Sequence, residues 1–509
     1  MPPRQPPGWT ALRCSIMKKV LFYSPLSYTP HWEIELNLME KYLREGWRVV
    51  LLKCDAQLPA CLANPYHTFT KCFECKTRKK AGIEWIGKDR ITVKSLYKIT
   101  AENQSEIDKL KTLQIDSIEQ LKQIKIDNSD VGMAAVSSTF TSLRESEIDV
   151  KKHEKLLRNY LMTAAIAHFS AINHLDEEKP DELVAFNGRI ASVRPVLREA
   201  WKRGITTFLH ESGKVSNRFF MVKNNFIHSL KGSQQMVESA FENSDLPLDE
   251  MKRLAAEWFE ERRDKDSKNQ IVFIGQQEKK LLPENFSTEN TNIVIFNSSE
   301  DEFVGFDEYK NLHYPNQNEG IRRMLADFKD EPNLRFYVRI HPNLKNLQNS
   351  QVKFLANLAS DFPNLTIIEP DSPIDSYHLL EMCDIPIAFV STIGIETVYA
   401  GKTPVLMGRA VYENLGGIIK PKNHEELVGM IKEYLKTKNL PAVGGAEQAW
   451  VKFGYFMKRG GYPLEFAEKD SWWNAKMKRD GRETYIKPSL TSILLNKITK
   501  YAAKLTGKK

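Results

Sequence analysis

Cysteine is scarce in this chain, six residues among 509, and that scarcity excludes a small domain stapled by disulfides. No stretch approaches the ~20 consecutive apolar residues of a membrane-spanning helix. Glycine (25) and proline (24) stay near average abundance, which excludes collagen-like and long low-complexity architectures. The first sixteen residues, MPPRQPPGWTALRCSI, are Pro-rich and lack the apolar centre of a secretory signal. They read as a disordered leader or as an artefact of start-site choice, the domain is expected to start at Met17, and a cytoplasmic location is expected. Excess charge is also missing from most of the sequence. The segment from Val451 to Lys509 holds fourteen Lys/Arg against five Asp/Glu, enough to account for the whole net charge of +8. A near-neutral body argues against nucleic acid as a partner and directs attention to the tail.

What remains is an ordinary soluble composition, 41% hydrophobic and 27% charged, at a length that calls for two or more domains. From Met17 strand and helix signals alternate. Lys19 to Tyr23 reads as a strand, about Glu33 to Arg44 as a helix closed by Gly46, and Arg48 to Cys54 as the next strand. Residues 56–150 interrupt this rhythm as a cysteine-bearing loop and a mostly helical insertion. The alternation resumes through about residue 209, and 17–245 is read as one Rossmann-like domain. The charged stretch 246–270 reads as a linker. Alternation restarts over 271–445, a second Rossmann-like domain, and 446–509 reads as a basic aromatic tail. The expected fold is α/β, two doubly wound domains facing a cleft.

Three groups of residues could carry chemistry. In the second half a strand ends in Arg339-Ile340-His341-Pro342-Asn343, and open α/β sheets bind ligands at that strand edge. About fifty residues later, IPIAFV runs into Ser391-Thr392-Ile393-Gly394-Ile395-Glu396 and a helix. Hydroxyls beside free helical N–H groups suit a phosphate, and Glu396 could reach ribose hydroxyls. Taken singly, Ser391 is an ordinary helix cap and His341 a strand-end histidine. Together, on neighbouring strand ends, they read as a nucleotide site.

The pairing of an R-x-H-P strand end with a later Ser/Thr-rich helix start resembles bacterial GT-B glycosyltransferases, including sialyltransferases and capsule-type Kdo transferases. FNGR (Phe186–Arg189), HESG (His210–Gly213) and IFNSSEDEF (Ile295–Phe303) resemble the capsule polysaccharide biosynthesis family. The resemblance runs over most of residues 17–440. It implies that His341, Ser391 and Thr392 hold the nucleotide phosphates of a sugar donor, and Arg339, Pro342 and Glu396 beside them complete the expected nucleotide site. It also implies an acceptor side in the first half. There Asn187, Gly188 and Arg189 would bind substrate, and Glu211 or His31 would serve as the base, with Glu211 ahead. In the ordinary alternative Glu211 caps a helix and His31 lies on the surface. No D-x-D-like motif stands near these elements, so no cofactor or divalent ion is expected for donor binding. The cysteine loop and the insertion depart from the family, so the acceptor does not carry over.

Cys54, Cys61, Cys72 and Cys75 fall within twenty-two residues and end in C-x-x-C, with His67 between. In a cytosolic protein such thiols read as a metal site, a structural zinc held by Cys₄ or Cys₃His, with an iron–sulfur cluster as a variant. The alternative is a set of unconnected reduced thiols.

The resulting expectation is a GT-B glycosyltransferase moving a sugar from a nucleotide donor to a surface polysaccharide or lipid-linked glycan. Its rivals are a nucleotide-sugar epimerase of similar architecture and a non-catalytic glycan-assembly protein. In the tail, Ser492 to Lys509 is a basic helix with Leu494, Ile498, Tyr501 and Leu505 on one face, and Trp472 and Trp473 sit upstream among lysines. Such segments lie on anionic membranes, so a peripheral position at the inner membrane is expected. The alternative is a terminal helix packed back on the first domain.

Overall fold

A computed structural model describes residues 17–213, 217–264, 274–302, 305–471 and 474–505. The leader 1–16, Trp472, Trp473, Lys508 and Lys509 lie outside them. In chain order the first domain comprises β1 (Lys19–Ser24), α1 (His31–Arg44), β2 (Arg48–Lys53), α2 (Phe69–Ile86) and β3 (Thr92–Ser95). Four helices follow, α3 (Ala101–Lys109), α4 (Ile118–Gln123), α5 (Val131–Leu143) and α6 (Val150–Glu178). Then come β4 (Glu182–Phe186), α7 (Arg194–Lys202), β5 (Thr206–Ser212), β6 (Arg218–Lys223), α8 (Leu230–Glu242) and α9 (Leu248–Arg263). The second domain comprises β7 (Thr291–Phe296), α10 (Gln317–Asp327), β8 (Leu334–Arg339), α11 (Ser350–Asp361) and β9 (Leu365–Ile368). It continues with α12 (Ser376–Met382), β10 (Ile385–Ala388), α13 (Ile393–Tyr399), β11 (Val405–Leu406) and α14 (His424–Thr437). The chain closes with α15 (Ala446–Arg459), β12 (Tyr462–Pro463), β13 (Ala467–Ser471), β14 (Asn474–Arg479), β15 (Arg482–Tyr485) and α16 (Leu490–Leu505).

The first sheet runs β12-β6-β5-β4-β1-β2-β3 and the second β11-β10-β7-β8-β9. Apart from β6 and β12, every pairing in them is parallel. Each is a doubly wound sheet whose order reverses beside its first strand, at β1/β4 and at β7/β10. Ligands bind such sheets at that reversal, outside the carboxyl ends of the strands. The central strands earn their position through continuous apolar runs: Val20–Tyr23 and Ile293–Ile295 are fully buried.

Three boundaries differ from the sequence expectation. The insertion 56–150 is mostly helical, yet it also supplies β3, an edge strand of the first sheet. The expected linker is largely α9, which buries Met251, Leu254, Ala255, Trp258 and Phe259. That i, i+3, i+4, i+7, i+8 pattern is an amphipathic helix, and each large side chain buried on it contributes about 1.5–3 kcal/mol. The expected tail is mostly structural. Helix α15 packs along α9 and also touches α8 and α13, β12 pairs with β6, and the three-stranded sheet β13-β14-β15 lies on α1. Much of its basic charge is spoken for: Lys452 pairs with Glu238, Lys458 with Glu261, and Lys476 with Glu483.

Candidate active site

On the first domain, the loop after β1 delivers His31 as the first residue of α1, and the turn after β4 carries Asn187. Both therefore sit at the β1/β4 reversal. Asn187 (φ 63°) and Gly188 (φ 95°) are left-handed, which turns the chain sharply off β4. A Cβ on Gly188 would stand 2.4 Å from Leu209 Cδ1, so this glycine is needed for close packing under the turn. Glu211 stands one residue before the end of β5 next door. His31 Nε2 lies 3.4 Å from Glu211 Oε1, and the Asn187 amide donates to Glu211 Oε2 at 3.0 Å. The same amide is 3.0 Å from His228 Nε2, which itself is 3.7 Å from the carboxylate.

The two candidates for a base thus form one unit, with different exposure. Glu211 lines the cleft and its side chain keeps 22% of its exposure, against 12% for His31. His31 stands behind it, its ring centroid 4.0 Å from Phe186 and 5.1 Å from Tyr28. Neither ordinary alternative holds, because Glu211 belongs to a strand and His31 is largely buried. Burial lowers the His31 imidazole to about 4 despite Glu211, so it is neutral at pH 7. Burial alone would raise Glu211, but His31, His228 and Asn187 outweigh it and hold the carboxyl well below its ordinary range. The result is an ionised carboxylate facing the cleft with a neutral imidazole at its back. Lys469, from the supposed tail, reaches Ser212 Oγ at 3.2 Å. Burial lowers its ammonium to about 8, and Glu211 opposes that. His210 of HESG faces the other way, with Nε2 3.5 Å from the buried Glu35.

On the second domain, Asn297 follows β7, Ser391 and Thr392 follow β10, and His341 follows β8. They surround a cavity of about 80 Å³ together with Arg262, Arg339, Pro342, Tyr377 and Glu396. The Asn343 N–H donates to His341 Nδ1 at 3.1 Å. Burial, reinforced by Arg262, Arg339 and Arg144, lowers this imidazole to about 4. A neutral ring whose Nδ1 accepts carries its proton on Nε2, a donor. Arg339 donates to Ser376 Oγ at 3.1 Å and to the Glu369 carbonyl, and burial lowers its guanidinium only to about 10. Three buried donors have no hydrogen-bond partner among the described residues: Arg339 Nη2, Arg262 Nε and Asn297 Nδ2. Buried donors left unpaired cost free energy.

The helix start differs from the sequence expectation. Helix α13 has seven residues, and the Thr392 hydroxyl donates to Glu396 Oε1 at 2.9 Å instead of capping it. Glu396 also accepts from Arg262 at 3.1 Å and from Tyr377, so its carboxylate orients Arg262 and has little left for a ribose. The cavity is thus lined by side-chain donors more than by the end of a long helix. Arg262 and Asn297 join this lining without having been candidates in the sequence, although Asn297 lies within the IFNSSEDEF stretch.

A larger cavity of about 520 Å³ lies between the domains, with Asn187, Arg189, Glu211 and His228 on one wall and Val390, Thr392 and Tyr412 on the other. Thr392 lines both cavities. Gly188 supports the turn and has no part in either lining. Arg144, at the end of α5, ties the walls together through Asp301 at 2.6 Å and Ser299 at 3.0 Å. Residues 293–426 match the model of the capsule polysaccharide biosynthesis protein family. The match runs from β7 into α14 and takes in Asn297, Arg339, His341, Ser391, Thr392 and Glu396. Among solved structures the chain is similar to KpsC, beta Kdo 2,4 transferase, of Thermosulfurimonas dismutans. That similarity has 11% identity and a TM-score of 0.33, over 63% of this chain and 87% of that one. It is also similar to MurG of Acinetobacter baumannii (13%, TM-score 0.26, 88% and 96% covered). A third is the UDP-GlcNAc 2-epimerase of Neisseria meningitidis bound to UDP-GlcNAc (10%, TM-score 0.25, 86% and 97% covered). No curated protein matches the chain.

The four cysteines are brought together as well. Cys54, Cys61, Cys72 and Cys75 line one cavity beside the loop that carries His31, whereas His67 turns away and contacts the Leu58 carbonyl at 2.6 Å.

Proposed function

We propose that the chain is a glycosyltransferase that moves a sugar from a nucleotide-activated donor to a surface polysaccharide or lipid-linked glycan. One observation carries the reading: a cleft with an ionised carboxylate on one wall and a cavity lined by Arg262, Asn297, Arg339 and His341 on the other, joined at Thr392. The donor phosphate would sit against Arg262, Asn297, Arg339 and the Nε2–H of His341. The acceptor hydroxyl gives its proton to Glu211 as its oxygen bonds to the anomeric carbon. The bond from that carbon to the phosphate oxygen breaks, and its electron pair leaves with the phosphate, where the cations and N–H donors stabilise it. His31 and Asn187 position Glu211, and Arg189 faces the acceptor side. The test is nucleotide release from sugar nucleotides with and without an acceptor glycan. Acceptor-dependent release is expected. Epimerised donor formed without acceptor would instead establish the epimerase reading.

The terminal helix supports a position on an anionic membrane. No described helix is long and apolar enough to cross a membrane. Helix α16 packs on α2 through polar residues, Ser492 against Thr77 and Asn496 against Glu74, and both are buried. Leu490 (85% exposed), Leu494 (59%), Ile498 (56%) and Tyr501 (67%) face outward. An apolar stripe turned to solvent beside lysines suits a lipid interface better than a protein core. Lys469, buried near Ser212, takes no part in such a surface. Flotation is the check: full-length protein should rise with anionic vesicles at low salt, and a chain ending at Pro488 should rise less. Equal flotation would make the helix purely structural.

A further inference from the structure

The four clustered cysteines have no role in the reading above, and their arrangement is specific. Cys54 ends the run of β2, Cys61 sits in a tight loop bridged to Asn64, and Cys72 and Cys75 occupy one face of the first turns of α2. All four are free thiols and line a single cavity of about 110 Å³. A tetrahedral zinc with Zn–S bonds of ~2.3 Å would draw its sulfurs to within about 3.8 Å of one another. Here no three of the four sulfurs lie within 4.8 Å of one another; among the described residues only Asp127, His168 and Glu199 form so tight a group. The cysteines enclose a space larger than a single ion fills.

We propose that Cys54, Cys61, Cys72 and Cys75 hold an iron–sulfur cluster. Four cysteine thiolates are the common ligand set of such clusters, and here the four line one cavity without three of them converging on a point. Lys71, Lys76, Arg78 and Glu74 line the same cavity, Lys71 paired with Glu74 and Arg78 with Glu33, and the amino end of α2 adds its positive dipole. Ser27 Oγ lies 3.1 Å from Cys75 Sγ, and Tyr28 lines both this cavity and the cleft. The loop between β1 and His31 is thus fastened to the cysteine site, and the cluster's role is to hold that loop. The inference rests on the cysteines alone and does not depend on the glycosyltransferase reading.

The experiment is anaerobic purification of the full chain, followed by assay of iron, zinc and acid-labile sulfide and a visible spectrum. Expected are iron and sulfide in equal amounts, about two to four of each per chain, with a broad visible absorption that bleaches on reduction. Cys61→Ser and Cys75→Ser should lose the iron and the colour, while Cys383→Ser, a buried cysteine elsewhere, should keep both. Should the cysteine variants fail to fold, the wild-type stoichiometry still decides. About one zinc per chain without sulfide would overturn the proposal. So would protein that takes up no metal when reconstituted anaerobically with iron and sulfide.

Discussion

Replacing His341 by alanine perturbs the phosphate cavity at a single donor. The imidazole is held near a neutral state, and the Asn343 N–H fixes its proton on Nε2. A hydrogen bond from that N–H to an anionic phosphate contributes roughly 1.5–3 kcal/mol. At ~1.4 kcal/mol per decade the loss corresponds to about ten- to a hundredfold in nucleotide affinity or in kcat/KM. The substitution also strands the Asn343 N–H, which costs about 1 kcal/mol of stability. The variant should therefore remain folded but unfold at slightly lower denaturant. His341→Gln, which can offer an amide to either partner, should recover part of both losses. The assay is calorimetric titration of the best-bound nucleotide alongside turnover, with urea unfolding as the control for folding. Wild-type affinity and turnover in a folded His341→Ala protein would remove His341 from phosphate binding.

Glu211→Gln should cut kcat by roughly 10²–10⁴ while leaving nucleotide affinity unchanged; equal losses in both would show that Glu211 only supports the fold. His31→Ala should reduce kcat less, and its pH–rate profile should shift because the carboxylate loses the group at its back. His31 and His341 are both lowered from 6.5 to about 4 in the folded chain. Between those values the unfolded chain binds protons that the native one refuses, so stability should fall as pH drops from 6.5 towards 4, by up to ~3 kcal/mol per histidine. Denaturant midpoints at pH 7 and pH 5 test this, and replacing either histidine should flatten the slope. Glu396→Ala strips Arg262 of its carboxylate inside the protein and should cost about 3–5 kcal/mol; a midpoint unchanged from wild type would contradict the ion pair.

The strand edges that build the candidate site were legible because buried parallel strands announce themselves as apolar runs, and IPIAFV and the run into Arg339 both end at one cavity. His31 and Glu211 each read as a candidate base, but only the fold reveals that they are one unit, since 180 residues of winding separate them. Strand β3 (TVKS) was not legible: four half-buried residues carry no apolar pattern. Arg262 was hidden for another reason. EERRDK resembles a solvated linker, and nothing in the local sequence says that Arg262 folds over Trp258 towards Glu396, with its guanidinium carbon 5.0 Å from the ring centroid. The lysines after Val451 read as a free basic surface because their glutamate partners lie up to 214 residues away.

If the cavity behind Thr392 holds the phosphate of a sugar nucleotide, a matching nucleotide must stabilise the folded chain. The most direct measurement is thermal unfolding of the full chain with CMP, UDP, GDP or CDP, repeated on His341→Ala. A nucleotide at a hundred times its Kd adds roughly 2.7 kcal/mol of stability, so at least one of the four should raise Tm in the wild type, with a clearly smaller rise in the variant. No shift with any nucleotide, or the same shift in both proteins, would contradict the account.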